Sequence, residues 1–420
     1  MGLNILLVNP NRFKNPPVIP IGLEYLSIAL KKYNHTVDIL DLCFCEFPKE
    51  ELADVLKRKS YDLVGFSIRN IDSLGYFNNE FFLPSIKRLV DYVKKVNIPI
   101  VLGGSGFSAM PTEILNYLNA DYGIIGPGEE TFPLFLELLQ SKKIKTPILD
   151  GWQNYSDKEL INFRGKEFDY ANYLSHTDVV GFETHKGCLE KCPYCVNSNT
   201  QTWYKSIHSI IEELKYIVDQ GYTHFELCDN EFNSDLDFSI EFCKALIEAN
   251  LPLKWKLFMK PSPYNRELFK LLHKTNAYRI SINVNSDTEI QDLCDYSYYD
   301  LKNIINYCNE YDIELAIDSL VGYPYESLES IKNMINFFRS HRPSTISVDP
   351  YFRVYEHTEL ANLIRNDTFL QERLIKPYSE DLQFLEPNFY NQFSHHVIEE
   401  LISDDNLFRI AWFSPELESQ

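Results

Sequence analysis

Three cysteines lie close together in the string Gly-Cys-Leu-Glu-Lys-Cys-Pro-Tyr-Cys, at Cys188, Cys192 and Cys195. The CxxxCxxC spacing supplies three thiolates from one short loop. A structural zinc site needs a fourth protein ligand, and a ferredoxin run carries a fourth cysteine nearby. The next cysteine along this chain is Cys228. The spacing therefore favours a [4Fe–4S] cluster whose fourth iron is open to a small molecule, with zinc as the alternative.

The residues that flank the triplet carry a family resemblance. Tyr194 precedes the last cysteine, and Lys186-Gly187 precede the first. This arrangement resembles the radical S-adenosylmethionine (SAM) enzymes. The resemblance implies that the three cysteines ligate the cluster, that SAM is the small molecule and that Tyr194 lies near its adenine.

Residues at the ends of predicted strands extend this resemblance. Lys260 is a suitable point charge for the SAM carboxylate. A stretch that usually reads Gly-x-Glu-Ser carries Asn283 and Asn285 here, and this departure affects ribose recognition. Residues 320–327 resemble a Gly-x-Pro-x-Glu-Thr turn whose apolar members back the adenine. The SAM-binding residues implied in this way are Tyr194, Asp229, Asn230, Glu231, Lys260, Asn283, Asn285, Ser286, Leu320 and Val321.

A fold must hold the cysteine loop, and the pattern around it predicts a partial (β/α)6 TIM barrel. The chain alternates there between short apolar runs and amphipathic stretches of helical period. In such barrels the chemistry lies at the C-terminal ends of the strands. The predicted strands are 179–184, 225–227, 253–258, 278–284, 314–321 and 345–348.

The first 140 residues alternate in the same way and predict a Rossmann-like, five-stranded parallel sheet. Such sheets bind ligands at the carboxyl ends of their strands. Glycines at that edge let the backbone approach a large ligand and present its amides. The predicted strands are 4–8, 36–42, 63–68, 98–102 and 122–125.

The order of the turns at this edge is similar to the cobalamin-binding domain that precedes many radical SAM domains. The resemblance covers residues 1–142 and implies that cobalamin is a cofactor. The residues that it assigns to cobalamin are Asn9, Pro10, Gly22, Leu23, Ser67, Arg69, Asn70, Gly103, Gly104, Ser105, Gly106, Gly126, Gly128 and Glu129.

One motif of other cobalamin proteins does not occur. The chain has no Asp-x-His-x-x-Gly sequence, and the loop after the first predicted strand contains no histidine. The lower face of cobalt is therefore expected to meet water, no ligand, or the loop at residues 67–72. Arg69 in that loop is a cation that would disfavour a lower ligand. A surface ion pair with Asp72 or Glu80 is the alternative.

Length and composition allow both domains. The 420 residues are 45% hydrophobic and 14% aromatic, which is enough for two cores and a tail. We expect an α/β protein with a cobalamin-binding domain at 1–142, a linker at 143–175 and the radical SAM barrel at 176–354. A small C-terminal region at 355–420 is expected to shape the substrate pocket.

Charge and cysteine usage limit the partners. The formal net charge of −20 would repel a phosphate backbone, so nucleic acid is not expected. The nine scattered cysteines indicate a reducing cytoplasm rather than disulfides. No apolar run reaches the roughly 18 residues of a membrane span, and the N-terminus lacks the basic segment of a signal peptide. Neither membrane insertion nor export is expected.

Together the two resemblances imply a cobalamin-dependent radical SAM methyltransferase. It would transfer a methyl group from SAM via methylcobalamin to an unactivated carbon of a small molecule or peptide, while the protein orients the cofactors. Flavodoxin or ferredoxin is the implied electron donor. The candidate catalytic residues are Cys228, Cys294 and Tyr323; the two thiols could donate a hydrogen atom, with simple packing as the alternative.

Three other functions stay open at this point. The same domains could carry out a rearrangement, ring contraction or cyclisation without methyl transfer. Methylation could also be non-radical, without 5′-deoxyadenosine as a product. A non-catalytic cobalamin sensor is the alternative from another class, although a sensor has no need of an open-site cluster. The sequence identifies neither the substrate nor the oligomeric state.

Overall fold

The computed structural model describes residues 2–153, 163–376 and 384–411, and these residues form two compact units. The first unit comprises the described residues of 1–73, 80–180 and 212–222. The second comprises those of 74–79, 181–211 and 223–420. Within the predicted linker, residues 154–162 lie outside the described ranges, as do residues 377–383 and 412–420 of the predicted C-terminal region.

The first unit contains a parallel sheet with the strand order β2-β1-β3-β4-β5-β6. Its strands are β1 (Asn4–Asn9), β2 (Thr36–Asp41), β3 (Leu63–Ser67), β4 (Ile100–Gly103), β5 (Tyr122–Ile125) and β6 (Ile148–Asp150). Its helices are α1 (Ile21–Lys32), α2 (Pro48–Arg58), α3 (Leu83–Lys95), α4 (Ser105–Ala109), α5 (Pro111–Leu118), α6 (Thr131–Gln140) and α7 (Tyr170–Leu174).

Local patterns explain most of these elements. Strand β1 is an apolar run whose last five residues are buried, as expected for a central parallel strand covered on both faces. Helix α3 buries Leu83, Ile86, Leu89, Val90 and Val93, which repeat at helical spacing along one stripe. The same spacing predicts a helix over residues 83–95, and α3 has these bounds.

The sheet has one strand more than the five predicted. Strand β6 lies in the predicted linker and pairs in parallel with β5, with Gly123 opposite Ile148. Its three residues are too few to show a period, so the strand is defined by its partner rather than by its own sequence. Helix α7 also lies in the predicted linker, and the Asp169 side chain caps it by accepting a hydrogen bond from the Asn172 amide.

The second unit contains a sheet with the order β17-β14-β13-β12-β11-β10-β7, and every pair whose register is described is parallel. Its strands are β7 (Val180–Phe182), β10 (His224–Leu227), β11 (Lys254–Phe258), β12 (Ala277–Asn285), β13 (Glu314–Leu320), β14 (Thr345–Asp349) and β17 (Phe408–Ile410). The remaining short strands are β8 (His185–Cys188), β9 (Thr200–Tyr204), β15 (Phe352–Arg353) and β16 (Phe389–Tyr390).

Helices connect these strands in the alternating order that the sequence predicts. The amphipathic pattern predicts helices over residues 207–219 and 236–249, and α8 and α9 have these bounds. The set is α8 (Ile207–Asp219), α9 (Leu236–Ala249), α10 (Arg266–Lys274), α11 (Thr288–Leu293), α12 (Tyr298–Glu310), α13 (Leu328–His341), α14 (Glu359–Arg365), α15 (Thr368–Gln371) and α16 (His395–Ile402).

The described part of the C-terminal region belongs to the barrel. Strand β17 pairs with β14 and adds a seventh strand to the sheet. A second contribution is an apolar cluster that packs Tyr194 of the cysteine loop and Leu320 of β13 against residues of this region, among them Leu360 and Tyr390. None of the helices in the described ranges is long and apolar enough to cross a membrane.

Two glycines of the first unit allow a matched test of the fold. Gly104 has φ +97, and a Cβ there would lie 2.5 Å from the Ile68 carbonyl oxygen, whereas a Cβ at Gly22 would meet nothing within 4 Å. We expect Gly104→Ala to destabilise the protein by about 1 kcal/mol or more. Gly22→Ala should be neutral or slightly stabilising, because alanine favours helices. Urea unfolding of both variants checks this, and equal midpoints would contradict the strain at Gly104.

Candidate functional site

The three cysteines lie in a β-hairpin. Strands β8 and β9 are antiparallel and enclose the loop, and the Cys188 amide donates a hydrogen bond to Thr200 Oγ1 at 2.9 Å. The middle of the loop has its own anchor, because the Leu360 amide, in the first turn of α14, donates to the Pro193 carbonyl at 3.0 Å. The loop is therefore fixed at its base and near its centre.

The three thiols are free, and their surroundings oppose ionisation. Burial raises the pKa of Cys188 to about 12, and burial also raises the pKa of Cys195. Cys192 shifts in the same direction, first through its contact with Cys294 and then through burial. Metal ligation requires thiolates, so a bound cation has to supply the compensating charge.

The donor set fits an iron–sulfur cluster. Within the described ranges, no group of three or more His, Cys, Asp or Glu residues is arranged to hold one metal ion. A [4Fe–4S] cluster spreads its thiolates over separate irons, so three cysteines spaced around one loop suit a cluster better than a single-ion cage.

A fourth thiol approaches this loop. Cys294 follows α11, and its Sγ lies 3.7 Å from Cys192 Sγ. Because the two cysteines are 102 residues apart in the sequence, no local motif predicts this contact. Of the other candidate catalytic residues, Cys228 is exposed at the end of β10, and the half-buried Tyr323 ring contacts Phe352 edge-on at 5.6 Å. Their catalytic roles stay predictions.

Tyr194 is held in place by β12. Its hydroxyl donates to Asn285 Oδ1 at 3.1 Å, and its ring packs on Phe352 at 5.2 Å. Asn285 is fixed in turn, because its amide donates to Tyr296 Oη and its carbonyl accepts from Gln291 Nε2. Asparagine at position 285 therefore positions the aromatic residue expected beside the adenine.

The Asp229-Asn230-Glu231 stretch divides into separate roles. Asp229 is buried, and its carboxylate accepts hydrogen bonds from Thr184 and contacts His185 Nδ1 at 3.0 Å. Asn230 donates to the Gly187 carbonyl at 3.1 Å. Burial raises the pKa of Glu231 to about 8, with the Glu190 carboxylate as the next cause. Asp229 thus braces β8 from within, and the contacts of Asp229, Asn230 and Glu231 with SAM stay predictions.

Lys260, which is predicted to pair with the SAM carboxylate, has a partner within the protein. Its ammonium pairs with Glu190 of the cysteine loop. Asn233 fixes the lysine backbone, donating to the Lys260 carbonyl and accepting from the Lys260 amide, each at 2.9 Å. Sequence reasoning missed Glu190 and Asn233, although Glu190 lies inside the cysteine motif. SAM would have to share Lys260 with Glu190 or displace it.

The remaining predicted SAM residues lie at the ends of β12 and β13. Asn283 is exposed, while Ser286 is fully buried and its carbonyl accepts from Ser330 Oγ at 2.6 Å. Leu320 is half-buried, and Val321 is buried with its amide bonded to the Asp349 carbonyl at 3.0 Å. These positions fit an apolar backing for a ring, and their contact with SAM stays a prediction.

In the first unit, the predicted cobalamin glycines form two groups. A Cβ at Gly104, Gly106 or Gly126 would lie within 3 Å of protein atoms, so packing alone requires glycine there. At Gly22, Gly103 and Gly128 a Cβ would meet nothing closer than 3.5 Å. The open space at these strand ends fits a large ligand that approaches the backbone.

Other predicted cobalamin residues lie at the same edge of the sheet. Asn9 is buried and donates to Asp41 Oδ1 at 2.8 Å. The half-buried Arg69 accepts a hydrogen bond from Ser105 Oγ at its backbone carbonyl. Pro10, Leu23 and Glu129 are buried, whereas Ser67 and Asn70 are half-buried. This geometry is compatible with the predicted site without assigning any contact to cobalt.

Two family models match the chain. The B12 binding domain matches residues 15–136, and the radical SAM superfamily matches residues 182–338. The chain therefore carries a B12 binding domain and a radical SAM domain. Each match falls on one of the two sheets described above.

Two curated relatives are methyltransferases, and another is the anaerobic magnesium-protoporphyrin IX monomethyl ester cyclase of Cereibacter sphaeroides, 23% identical over 79% of this chain and 58% of its own length. Tryptophan 2-C-methyltransferase of Streptomyces laurentii is 22% identical over 79% of this chain and 69% of its own length. Cytidylyl-2-hydroxyethylphosphonate methyltransferase of Streptomyces wedmorensis is 22% identical over 68% of this chain, which covers 65% of that protein, slightly less than two thirds. The chain is homologous to cobalamin-dependent radical SAM methyltransferases.

Solved structures show the same fold. The radical SAM methyltransferase TsrM from Kitasatospora setae, with cobalamin and a [4Fe–4S] cluster bound, superposes with a TM-score of 0.87 at 20% identity and covers all of this chain and 95% of its own. The cobalamin-dependent radical SAM enzyme OxsB gives a TM-score of 0.68 at 15% identity, covering 93% of this chain and 64% of that one.

These findings confirm the predicted family, the α/β fold class and the assignment as an enzyme. They also agree with the predicted cofactors, a [4Fe–4S] cluster, SAM and cobalamin. No comparison tests the assignment of single residues or the domain boundaries, which remain predictions.

The cluster assignment predicts a specific loss of iron. Anaerobically reconstituted protein should hold about four irons per chain, and the triple variant Cys188→Ala, Cys192→Ala, Cys195→Ala should lose them. Cys45→Ala is the matched control from the first unit, and Cys294→Ser tests the neighbouring thiol; both should keep their iron. Iron retained by the triple variant would refute the assignment, and iron lost from Cys294→Ser would make that thiol a ligand.

The absence of an Asp-x-His-x-x-Gly motif from the sequence predicts that cobalt in bound cobalamin has no histidine ligand. Purified with hydroxocobalamin, the protein should bind it in a near-stoichiometric complex. Its Co(II) form should show an EPR spectrum without nitrogen superhyperfine splitting, because the loop after β1 contains no histidine. Splitting by an imidazole nitrogen would contradict this prediction, and a failure to bind would remove the proposed site.

Proposed function

We propose that the protein transfers a methyl group from SAM to a carbon atom of a small-molecule substrate. The observation that carries the proposal is the placement of three free thiols in an anchored hairpin at the strand ends of the second sheet. When bound, the cluster, SAM and cobalamin would supply the electron, the methyl group and its carrier.

The residues of the chain would bind and orient these groups. Cys188, Cys192 and Cys195 would ligate the cluster, and Tyr194, fixed by Asn285, would lie against the adenine. The Lys260–Glu190 pair lies in the same region and would tune the charge around SAM. In the first unit, the open strand-end glycines would admit the corrin.

The substrate class is also a proposal. One relative acts on tryptophan by its name, and a TsrM structure contains tryptophan as the substrate. We propose L-tryptophan as the first compound to test on this chain. A flavodoxin or ferredoxin would deliver electrons, and the reducing cytoplasm that such donors need is the proposed location.

A methylation assay tests this function. With L-tryptophan, SAM carrying a labelled methyl group and a reductant, the label should appear in the product together with one S-adenosylhomocysteine. If hydrogen abstraction precedes transfer, a second SAM should be consumed as 5′-deoxyadenosine, and this two-to-one ratio is the outcome that we expect for an unactivated carbon. The triple cysteine variant serves as the control.

Other outcomes separate the alternatives. A product of unchanged carbon count would favour a rearrangement. S-adenosylhomocysteine without 5′-deoxyadenosine would keep methyl transfer and remove the abstraction step. Cobalamin binding without any conversion of SAM would favour a sensor.

A further inference from the structure

Charged side chains line one face of the second sheet in two transverse rows. The first row crosses four neighbouring strands through Glu226, Lys256, Arg279 and Glu314, which are register partners. Its members neutralise one another. Lys256 Nζ lies 3.3 Å from Glu226, and an Arg279 guanidinium nitrogen lies 3.7 Å from Glu314. This row is a closed set of ion pairs.

The second row lies nearer the C-terminal ends of the strands. Asn283, Asp318, Ser347 and Arg409 are register partners on β12, β13, β14 and β17. The residues one step earlier in each strand, Ile282, Ile317, Ile346 and Phe408, are buried. Because successive side chains of a strand point to opposite faces, the polar row lies on the face opposite to this apolar layer.

Unlike the first row, the second row contains no ion pair among the described residues. Arg409 is exposed and forms no ion pair with any described residue, and Asp318 has no hydrogen bond within the described ranges. Asp318 and Arg409 are two strands apart, roughly 10 Å between backbones, and the short side chain of Ser347 lies between them. An acid and a base on the same face are thus separated by the short side chain of Ser347.

Asp349 adds a second carboxylate at the end of β14. It lies opposite Leu320 in the register, two residues beyond Ser347. One of its oxygens, Oδ1, accepts a hydrogen bond from the Tyr351 amide at 3.0 Å, and no described residue donates to the other. The Tyr351 ring stacks on Tyr76 at 3.6 Å, and its hydroxyl contacts His395 Nδ1 at 2.8 Å. The carboxylate is therefore held by rigid neighbours with one oxygen available.

Because Asp349 lies two residues beyond Ser347 on β14, strand alternation places it on the same face as Asp318. Burial raises the pKa of Asp349 to about 7, and the Asp318 carboxylate acts in the same direction. Burial likewise raises the pKa of Asp318, and Arg409 and Arg279 oppose this shift. Two carboxyls with raised pKa values beside an unpaired arginine can gain from a ligand that carries both charges.

We propose that Arg409, Asp318 and Asp349 bind the charged ends of a zwitterionic substrate of the amino-acid class. The guanidinium of Arg409 pairs with the substrate carboxylate, for which its planar fork is suited. Asp318 and Asp349 accept hydrogen bonds from the ammonium group. The substrate side chain is then free to extend toward the strand ends and the cysteine loop. This inference rests on the proposed function for the reaction, while the binding step is separate from it.

Calorimetric titration of the cofactor-loaded protein tests the proposal with three probes: L-tryptophan, tryptamine without the carboxylate, and indole-3-propionate without the amine. We expect L-tryptophan to bind at least about tenfold more tightly than either analogue. Arg409→Gln should weaken binding of L-tryptophan to the level of tryptamine, without changing the affinity for tryptamine. Asp349→Asn should weaken L-tryptophan without changing the affinity for indole-3-propionate.

Controls keep the outcome interpretable. Lys256→Gln removes a charge from the paired row and should leave binding unchanged, and Arg409→Lys should retain part of the affinity. Iron and cobalamin contents equal to those of the wild type show that a variant is folded. If L-tryptophan does not bind, the other nineteen amino acids are titrated in the same way.

The proposal is overturned if none of the twenty amino acids binds, or if Arg409→Gln and Asp349→Asn weaken all three probes equally. Failure of the proposed function has a different signature. Charge-dependent binding without labelled methyl in any product would leave the zwitterion site intact and remove the methyltransferase assignment. Methylation of a substrate whose binding does not depend on these charges would keep the methyltransferase assignment and remove the zwitterion site.

Discussion

The hydrogen bond from the Leu360 amide to the Pro193 carbonyl joins the last part of the chain to the cysteine loop. A loop that presents three ligands to a cluster needs a fixed backbone, because a displaced sulfur atom would distort the geometry of the whole cluster. The hairpin of β8 and β9 fixes only the base of this loop. The bond from α14, together with the packing of Tyr194 on Phe352, orders the segment between the second and third cysteines.

Charge compensation is the second constraint at this site. The thiols, Glu190 and Glu231 would bring several negative charges into a partly buried region, and burial disfavours each of them. Lys260 is the cation that the second unit places beside Glu190. The iron–sulfur cluster completes the balance, so the local fold and the cofactor depend on each other.

Much of the architecture was predictable because it follows from the local periodicity of apolar residues. The bounds of α3, α8 and α9 follow from apolar stripes, and the six barrel strands follow from short β-rich runs. Elements defined by distant partners were not predictable. Strand β6 requires β5, β17 requires β14, and the contact between Cys294 and Cys192 spans 102 residues. The sequence contains one weak indication of the second row of polar residues, because the charged Asp318 interrupts an apolar run in β13.

Strand β17 carries Arg409 at the edge of the barrel, after every residue predicted to bind the cluster or SAM. Arg409, which we propose to pair with the substrate carboxylate, is thus encoded after the residues predicted to handle the cofactors, whereas Asp318 lies on the same strand as Leu320. Such a division permits inheritance by segments: a lineage can exchange its final strand and keep an intact reaction centre. Proteins that share this fold would then differ in their substrates while they keep the same cofactor chemistry.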